Sequence, residues 1–168
     1  MKPWTLRAAC AAWWLGLSAL AGAVSPGEVA PDFLLNGAAR DRVQLSALRG
    51  KVVYLDFWAS WCGPCKQSFP WMNQMQAKYG PQGLQVLAVS VDTQVEAATT
   101  FLADTPARFS VAFDPQGSTP RQYAIKGMPT SVLIGPEGKV LAVHSGFRAE
   151  DRAELEQRIA QAVAALHR

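Results

Sequence analysis

Apolar residues gather in three short runs along the chain: KVVYLDFW (Lys51 to Trp58), LQVLAVSVD (Leu84 to Asp92) and TSVLIG (Thr130 to Gly135). Runs this short, rich in β-branched and aromatic residues and apolar at nearly every position, suit strands buried on both faces. Between the first two, Phe69, Met72, Met75 and Tyr79 recur at steps of three and four, the period of one helix face. Pro70 falls within that helix, where it lacks a donor and crowds the preceding turn, so a kink is expected there. Strand, helix and strand in this order form a βαβ unit, hence a parallel pair with a right-handed crossover.

The rest of the chain extends this core. Val95 to Leu102 predicts a second helix, and residues 105–120, with Pro106, Pro115, Gly117 and Pro120, predict loops around a short strand near Phe109 to Phe113. Thr130 to Gly135, the turn Pro136-Glu137-Gly138 and Lys139 to Gly146 predict a β-hairpin. Leu155, Ile159, Val163 and Leu166 share a face of a final amphipathic helix. Residues 24–42, which hold Pro26, Gly27, Pro31 and Gly37, predict an extended N-terminal segment with a turn near Asn36-Gly37. No internal repeat interrupts this order, which predicts an α/β fold with a mixed central sheet flanked by helices.

Composition refines the picture at the N-terminus. A chain of 168 residues, 49% hydrophobic, supports one core and one folded domain. Met1 to Arg7 carries Lys2 and Arg7, the 17 residues Ala8 to Val24 carry no charge, and Ala21-Gly22-Ala23 fits an A-x-A cleavage site. Residues 1–23 are therefore expected to be a signal peptide, with a periplasmic or exported protein in an oxidising compartment as the product. An uncleaved membrane anchor is the alternative, at the short limit for spanning a bilayer. Cys10 belongs to this leader, and Arg7 stands where a lipid-attachment motif wants an aliphatic residue. The full chain has a formal net charge of +3, and loss of Lys2 and Arg7 leaves 14 basic against 13 acidic side chains. Neither a basic run nor a charge excess points to nucleic acid.

Without Cys10 the chain keeps two cysteines, Cys62 and Cys65, in the string WCGPCK. As a structural staple they would close almost no loop, and stabilisation by a disulfide grows with the loop it closes. As a zinc site they lack further ligands, since His144 and His167 stand apart from them and from each other. Haem attachment needs a histidine after the second cysteine, where Lys66 stands. Redox exchange fits better. Cys62 ends a strand and precedes a helix, so its sulfur is expected among free backbone N–H groups at the positive end of a helix dipole, which stabilises a thiolate. Cys62 is then the nucleophile, and Cys65, one turn later, the more buried thiol that resolves the mixed disulfide. Gly63-Pro64 makes the turn tight and leaves little bulk over the sulfur.

DFWASWCGPCK (Asp56 to Lys66), Pro70 in the next helix and Met128-Pro129-Thr130 resemble the thioredoxin superfamily. The resemblance implies that Pro129 is in cis and faces the cysteine pair, and that Met128 lends its backbone to a bound substrate. Gly63, Pro64 and Thr130 join that substrate-binding surface, and Trp61 forms an apolar rim beside Cys62. Trp58 packs in the core. Asp56 matches a buried acid that relays protons to the resolving cysteine, and burial among Leu55 and Phe57 raises a carboxyl toward the range of a base. APDFLLNG (Ala30 to Gly37), LSALRGKVVYLDFWASWC (Leu45 to Cys62), the insertion between Asp92 and Met128, and LIGPEGKV (Leu133 to Val140) resemble the secreted TlpA/ResA-like branch. This implies a thioredoxin-like domain over residues 43–168, preceded by the N-terminal extension 24–42 and interrupted by a central insertion. Many members of the branch carry Glu three residues after the second cysteine; Ser68 stands there instead, so a role in cytochrome c maturation is open.

The expected activity is a protein-disulfide reductase acting as a monomer on exported proteins, with no cofactor beyond the redox-active pair and a membrane thiol transporter as electron donor. Three alternatives stand beside it. A disulfide oxidase would use the same motif, although Gly-Pro resembles the reducing members. A peroxidase shares the APDF stretch but resembles P-x-x-x-T-x-x-C, where this chain has Leu55 and Ala59. A copper-holding module would use Cys62 and Cys65 with Met128 or His144.

Overall fold

A computed structural model of the protein describes residues 23–168, so Cys10 and residues 1–22 of the expected signal peptide lie outside the described residues. In chain order the elements are β1 (Leu34–Gly37), β2 (Arg42–Gln44), β3 (Val52–Trp58), α1 (Gly63–Tyr79), β4 (Leu84–Ser90), α2 (Val95–Asp104), β5 (Ser110–Phe113), α3 (Ser118–Gln122), β6 (Thr130–Ile134), β7 (Val140–Ser145) and α4 (Asp151–Ala165). The strands form one sheet in the order β2-β1-β5-β4-β3-β6-β7. The β3–β4 and β4–β5 pairs are parallel, and the others antiparallel. The expected βαβ unit is thus β3-α1-β4, and the expected hairpin is β6-β7.

Every residue of β3 is buried, as its unbroken apolar run implies for a strand covered on both faces. Because side chains alternate along a strand, Val52, Tyr54 and Trp58 enter one core layer, which holds residues of α1, α2 and α4. Val53, Leu55 and Phe57 enter the other. α1 docks through Phe69, whose ring stands 4.9 Å from that of Trp58 and 5.0 Å from that of Phe101 in α2, both nearly edge to face for Phe69. The helix runs on through Pro70 to Tyr79.

The second layer is built differently from the extended segment that the sequence predicts. Val24, Ala30, Phe33 and Leu45 close it together with Tyr123, whose hydroxyl donates to the Pro31 carbonyl at 2.7 Å. Residues 34–44 form a hairpin, and β1 pairs with β5, so the boundary expected after residue 42 falls inside β2. These two strands are short and mostly exposed, and they join the sheet through backbone pairing rather than through an apolar alternation. α3, five residues long, is likewise too short for periodicity to reveal. Asp114 organises its start, accepting from Thr119 N at 2.6 Å and from the Ser118 hydroxyl.

Candidate active site

β3 ends at Trp58, and the chain turns through Ala59 to Trp61 before Cys62 caps α1 in an extended conformation. Pro64 lies in the first helical turn, where its missing N–H leaves no bond unmade. Cys62 and Cys65 are joined in a disulfide, and the Cys65 amide donates to Cys62 Sγ at 3.3 Å. The sulfur of Cys62 therefore sits on the open amides of the helix, as the strand-to-helix placement predicts. Cys62 retains slight exposure whereas Cys65 has none, and Trp61 beside them is 72% exposed. A Cβ built at Gly63 meets nothing within 4 Å, so the surface at the spacer is uncrowded.

Antiparallel pairing brings the second part of the site to the same end of the sheet. Thr130, the first residue of β6, stands opposite Phe57 near the end of β3. The Met128–Pro129 bond just before it is cis, Thr130 Oγ1 donates to the Gly127 carbonyl at 2.8 Å, and the Pro129 carbonyl accepts from Gly146 N. Met128 is half-buried and touches both core layers.

Asp56 lies on the sheet face that packs against α1. It is 2% exposed, and its Oδ2 has no hydrogen-bond partner. Desolvation pushes its carboxyl well above the ordinary carboxylate range. Burial also raises the Tyr54 phenol, and the charge of nearby Asp56 adds to that, while a hydrogen bond with Ser131 opposes it.

Comparison with known proteins agrees with this geometry. Residues 26–143 match the AhpC/TSA family. The chain belongs to that family. Within it, the chain is similar to the thiol-disulfide oxidoreductase ResA of Bacillus subtilis (strain 168), 37% identical over 127 residues that cover 76% of this chain and 71% of that protein. ResA of Oceanobacillus iheyensis is also 37% identical, over 76% of this chain and 69% of its own. Among solved structures, a Chlorobium tepidum protein assigned as the thiol:disulfide interchange protein DsbE is 59% identical, with a TM-score of 0.82 over 84% of this chain and 99% of its own. The fold is thioredoxin-like, and the chain is a thiol-disulfide oxidoreductase. The match to the AhpC/TSA family takes in the APDF stretch, whereas Leu55 and Ala59 still occupy the Pro and Thr positions of the peroxidase pattern.

Ser68, where the resemblance to the secreted branch implies Glu in many members, is buried and donates to the Cys65 carbonyl at 3.1 Å. His144 Nε2 lies 3.3 Å from Asp151 Oδ2, and His167 pairs with the Gln82 carbonyl, so neither histidine joins the cysteines. Among the described residues no three His, Cys, Asp or Glu side chains gather as a ligand set.

One part of the site is absent from the sequence reading. Asp92, just past β4 and buried, accepts from the Ser60 amide and the Ser60 hydroxyl, both at 2.8 Å, and from the Ser90 hydroxyl at 3.0 Å. It pins the turn that delivers Cys62. The available signal is that parallel β3 and β4 must end side by side, which makes a polar residue after one strand a neighbour of the loop after the other.

Proposed function

We propose that this protein is a periplasmic or exported reductase of protein disulfides, working through Cys62 and Cys65. The observation that supports this best is the placement of Cys62 Sγ at the amide end of α1, slightly exposed, with the fully buried Cys65 one turn behind it. In the reduced protein the Cys62 thiolate attacks one sulfur of a partner disulfide, and the other partner sulfur departs as a thiolate and takes a proton from water. Cys65 then gives its proton to the Asp56 carboxylate and attacks Cys62 Sγ. The second partner thiolate leaves, and the protein retains the Cys62–Cys65 disulfide. Two electrons have passed to the partner, so the pair must be re-reduced, and in an oxidising compartment a membrane thiol transporter is the donor that fits.

Partner contact falls to Trp61, Gly63 and Pro64 on one side and Met128, Pro129 and Thr130 on the other. Trp61 leaves a large apolar ring in solvent beside the reactive sulfur, a surface suited to an unfolded or extended segment of protein. Among the described residues no helix is long and apolar enough to cross a membrane, which leaves cleavage or anchoring to the leader.

Assay of the reduced protein on a disulfide-bonded test protein checks this reading. Turnover is expected, Cys62→Ser is expected to abolish it, and undiminished turnover in that variant sinks the assignment. Cys65→Ser is expected to stall at the mixed disulfide and so to retain physiological partners for identification. The direction follows from the redox potential of the pair: a value near about −270 mV marks a reductant, one near about −120 mV a disulfide-forming oxidant.

A further inference from the structure

We propose that Asp56 exchanges its proton with solvent sideways across the sheet, through the hydroxyl of Ser131 and the imidazole of His144. This rests on the reading of Asp56 as the acid–base group of a disulfide reductase, and it names the route that group needs. A carboxyl that takes the Cys65 proton in each cycle must also release it, and Asp56 is sealed in the core with one oxygen unpartnered.

The strand register supplies a path. Asp56 of β3 stands directly opposite Ser131 of β6, and Ser131 directly opposite His144 of β7. Direct cross-strand partners share a face, with Cβ atoms about 5 Å apart. In the other direction the same row continues through Ala88 of β4 and Val111 of β5, which can carry no proton. Along the polar half of the row exposure climbs from 2% at Asp56 and 4% at Ser131 to 31% for the His144 side chain, whereas Ala88 and Val111 both stay buried. Tyr54, Ser131 and His144 also line a cavity of about 10 Å³ between the sheet and α4, close to the room one water requires. A hydroxyl that both donates and accepts can pass a proton on, and an imidazole is the side chain suited to carrying one near neutral pH.

Beyond His144 the path reaches the surface. Its Nε2 meets Asp151 at the start of α4, where the same carboxylate oxygen accepts from Arg148 N. The groups that face His144 are Asp151 and Arg158 from α4, the latter paired with Glu154, and Tyr54 from β3 across the shared cavity, with Asp56 one strand further behind Ser131. Arg148 and Glu150 pair with each other in the preceding loop. In the step itself, the Asp56 proton passes to Ser131 as the Ser131 proton passes to His144, and His144 releases its own to water. The departing partner thiolate takes up an equivalent proton from solvent, so charge and protons balance.

The test is the decay of the mixed disulfide in a single turnover, followed across neutral pH for the wild type, Asp56→Asn, His144→Gln, His144→Ala and Ser131→Ala, with thermal unfolding of each. His144→Gln keeps a donor for Asp151 without a titrating ring. It is expected to slow decay about tenfold and to leave formation of the mixed disulfide by Cys62 unchanged. Ser131→Ala is expected to slow decay likewise, and imidazole in the buffer to restore the His144→Ala rate. Wild-type decay in both His144→Gln and Ser131→Ala while Asp56→Asn remains slow would overturn this route and leave the function intact. A slow His144→Ala that imidazole does not restore would overturn it too, by assigning His144 a structural part. Unimpaired decay in Asp56→Asn would remove the acid and the route together, whereas failure of the wild type to reduce any disulfide would refute the function itself.

Discussion

Asp56 concentrates the tension between stability and chemistry in this protein. Its carboxyl is buried without a charge partner, so the fold holds its proton well above the ordinary value of 3.8, and the carboxylate that receives the Cys65 proton forms only once that first proton has left. The sign of the linkage follows. Above the ordinary carboxylate range the unfolded chain has released this proton while the folded one retains it, so the contribution of Asp56 to stability falls as pH rises toward the folded value. Asp56→Asn is therefore expected to raise stability at neutral pH by about 1–3 kcal/mol, with no gain below the ordinary range. Urea unfolding of the oxidised protein at several pH values measures this, and equal stability of the two proteins at all of them would contradict it. The burial of Asp56 is legible in the sequence because Leu55 and Phe57 flank it in an apolar run. That Ser131 is its polar neighbour and His144 the next residue in the row is not, since the three residues belong to different strands and only pairing aligns them.

At the scale of elements, α1 and the turn before it decide where the sulfur of Cys62 sits. The helix is announced by Gly63-Pro64 and by the spacing of Phe69, Met72, Met75 and Tyr79, all of which the structure buries apart from the two spacer residues. The turn is held by Asp92, whose carboxylate receives three donors from Ser60 and Ser90. Asp92→Ala leaves these donors without their partner and is expected to cost about 2–4 kcal/mol, read from thermal or denaturant unfolding. The same variant, once reduced, is expected to form mixed disulfides more slowly, because the backbone before Cys62 has lost its anchor; a rate equal to the wild type would show the turn to be held by other means. Ser60 and Asp92 are 32 residues apart, and each by itself reads as an ordinary polar residue at a strand end. Only the parallel register of β3 and β4 makes them partners.

Across the whole molecule, the N-terminal segment is part of the core. Phe33 and Val24 cover the sheet face opposite α1, and backbone bonds from Gly27 and Ala30 tie the segment to Val140 and Gly138 at the β6–β7 turn. Phe33→Ala is expected to destabilise the protein by about 3 kcal/mol although it lies far along the chain from the cysteines, and unfolding by urea checks this. A loss below about 1 kcal/mol would mean that the segment only drapes over the sheet. The sequence by itself determined the chemistry and the central elements, because a thiol pair two residues apart, a buried apolar strand and a helical period are local patterns. The tertiary structure decided what depends on register and covering: the hairpin that joins β1 to the edge of β5, the Asp92 anchor, and the row from Asp56 to His144. Those features arise where residues distant in sequence are brought side by side, and no local pattern carries that information.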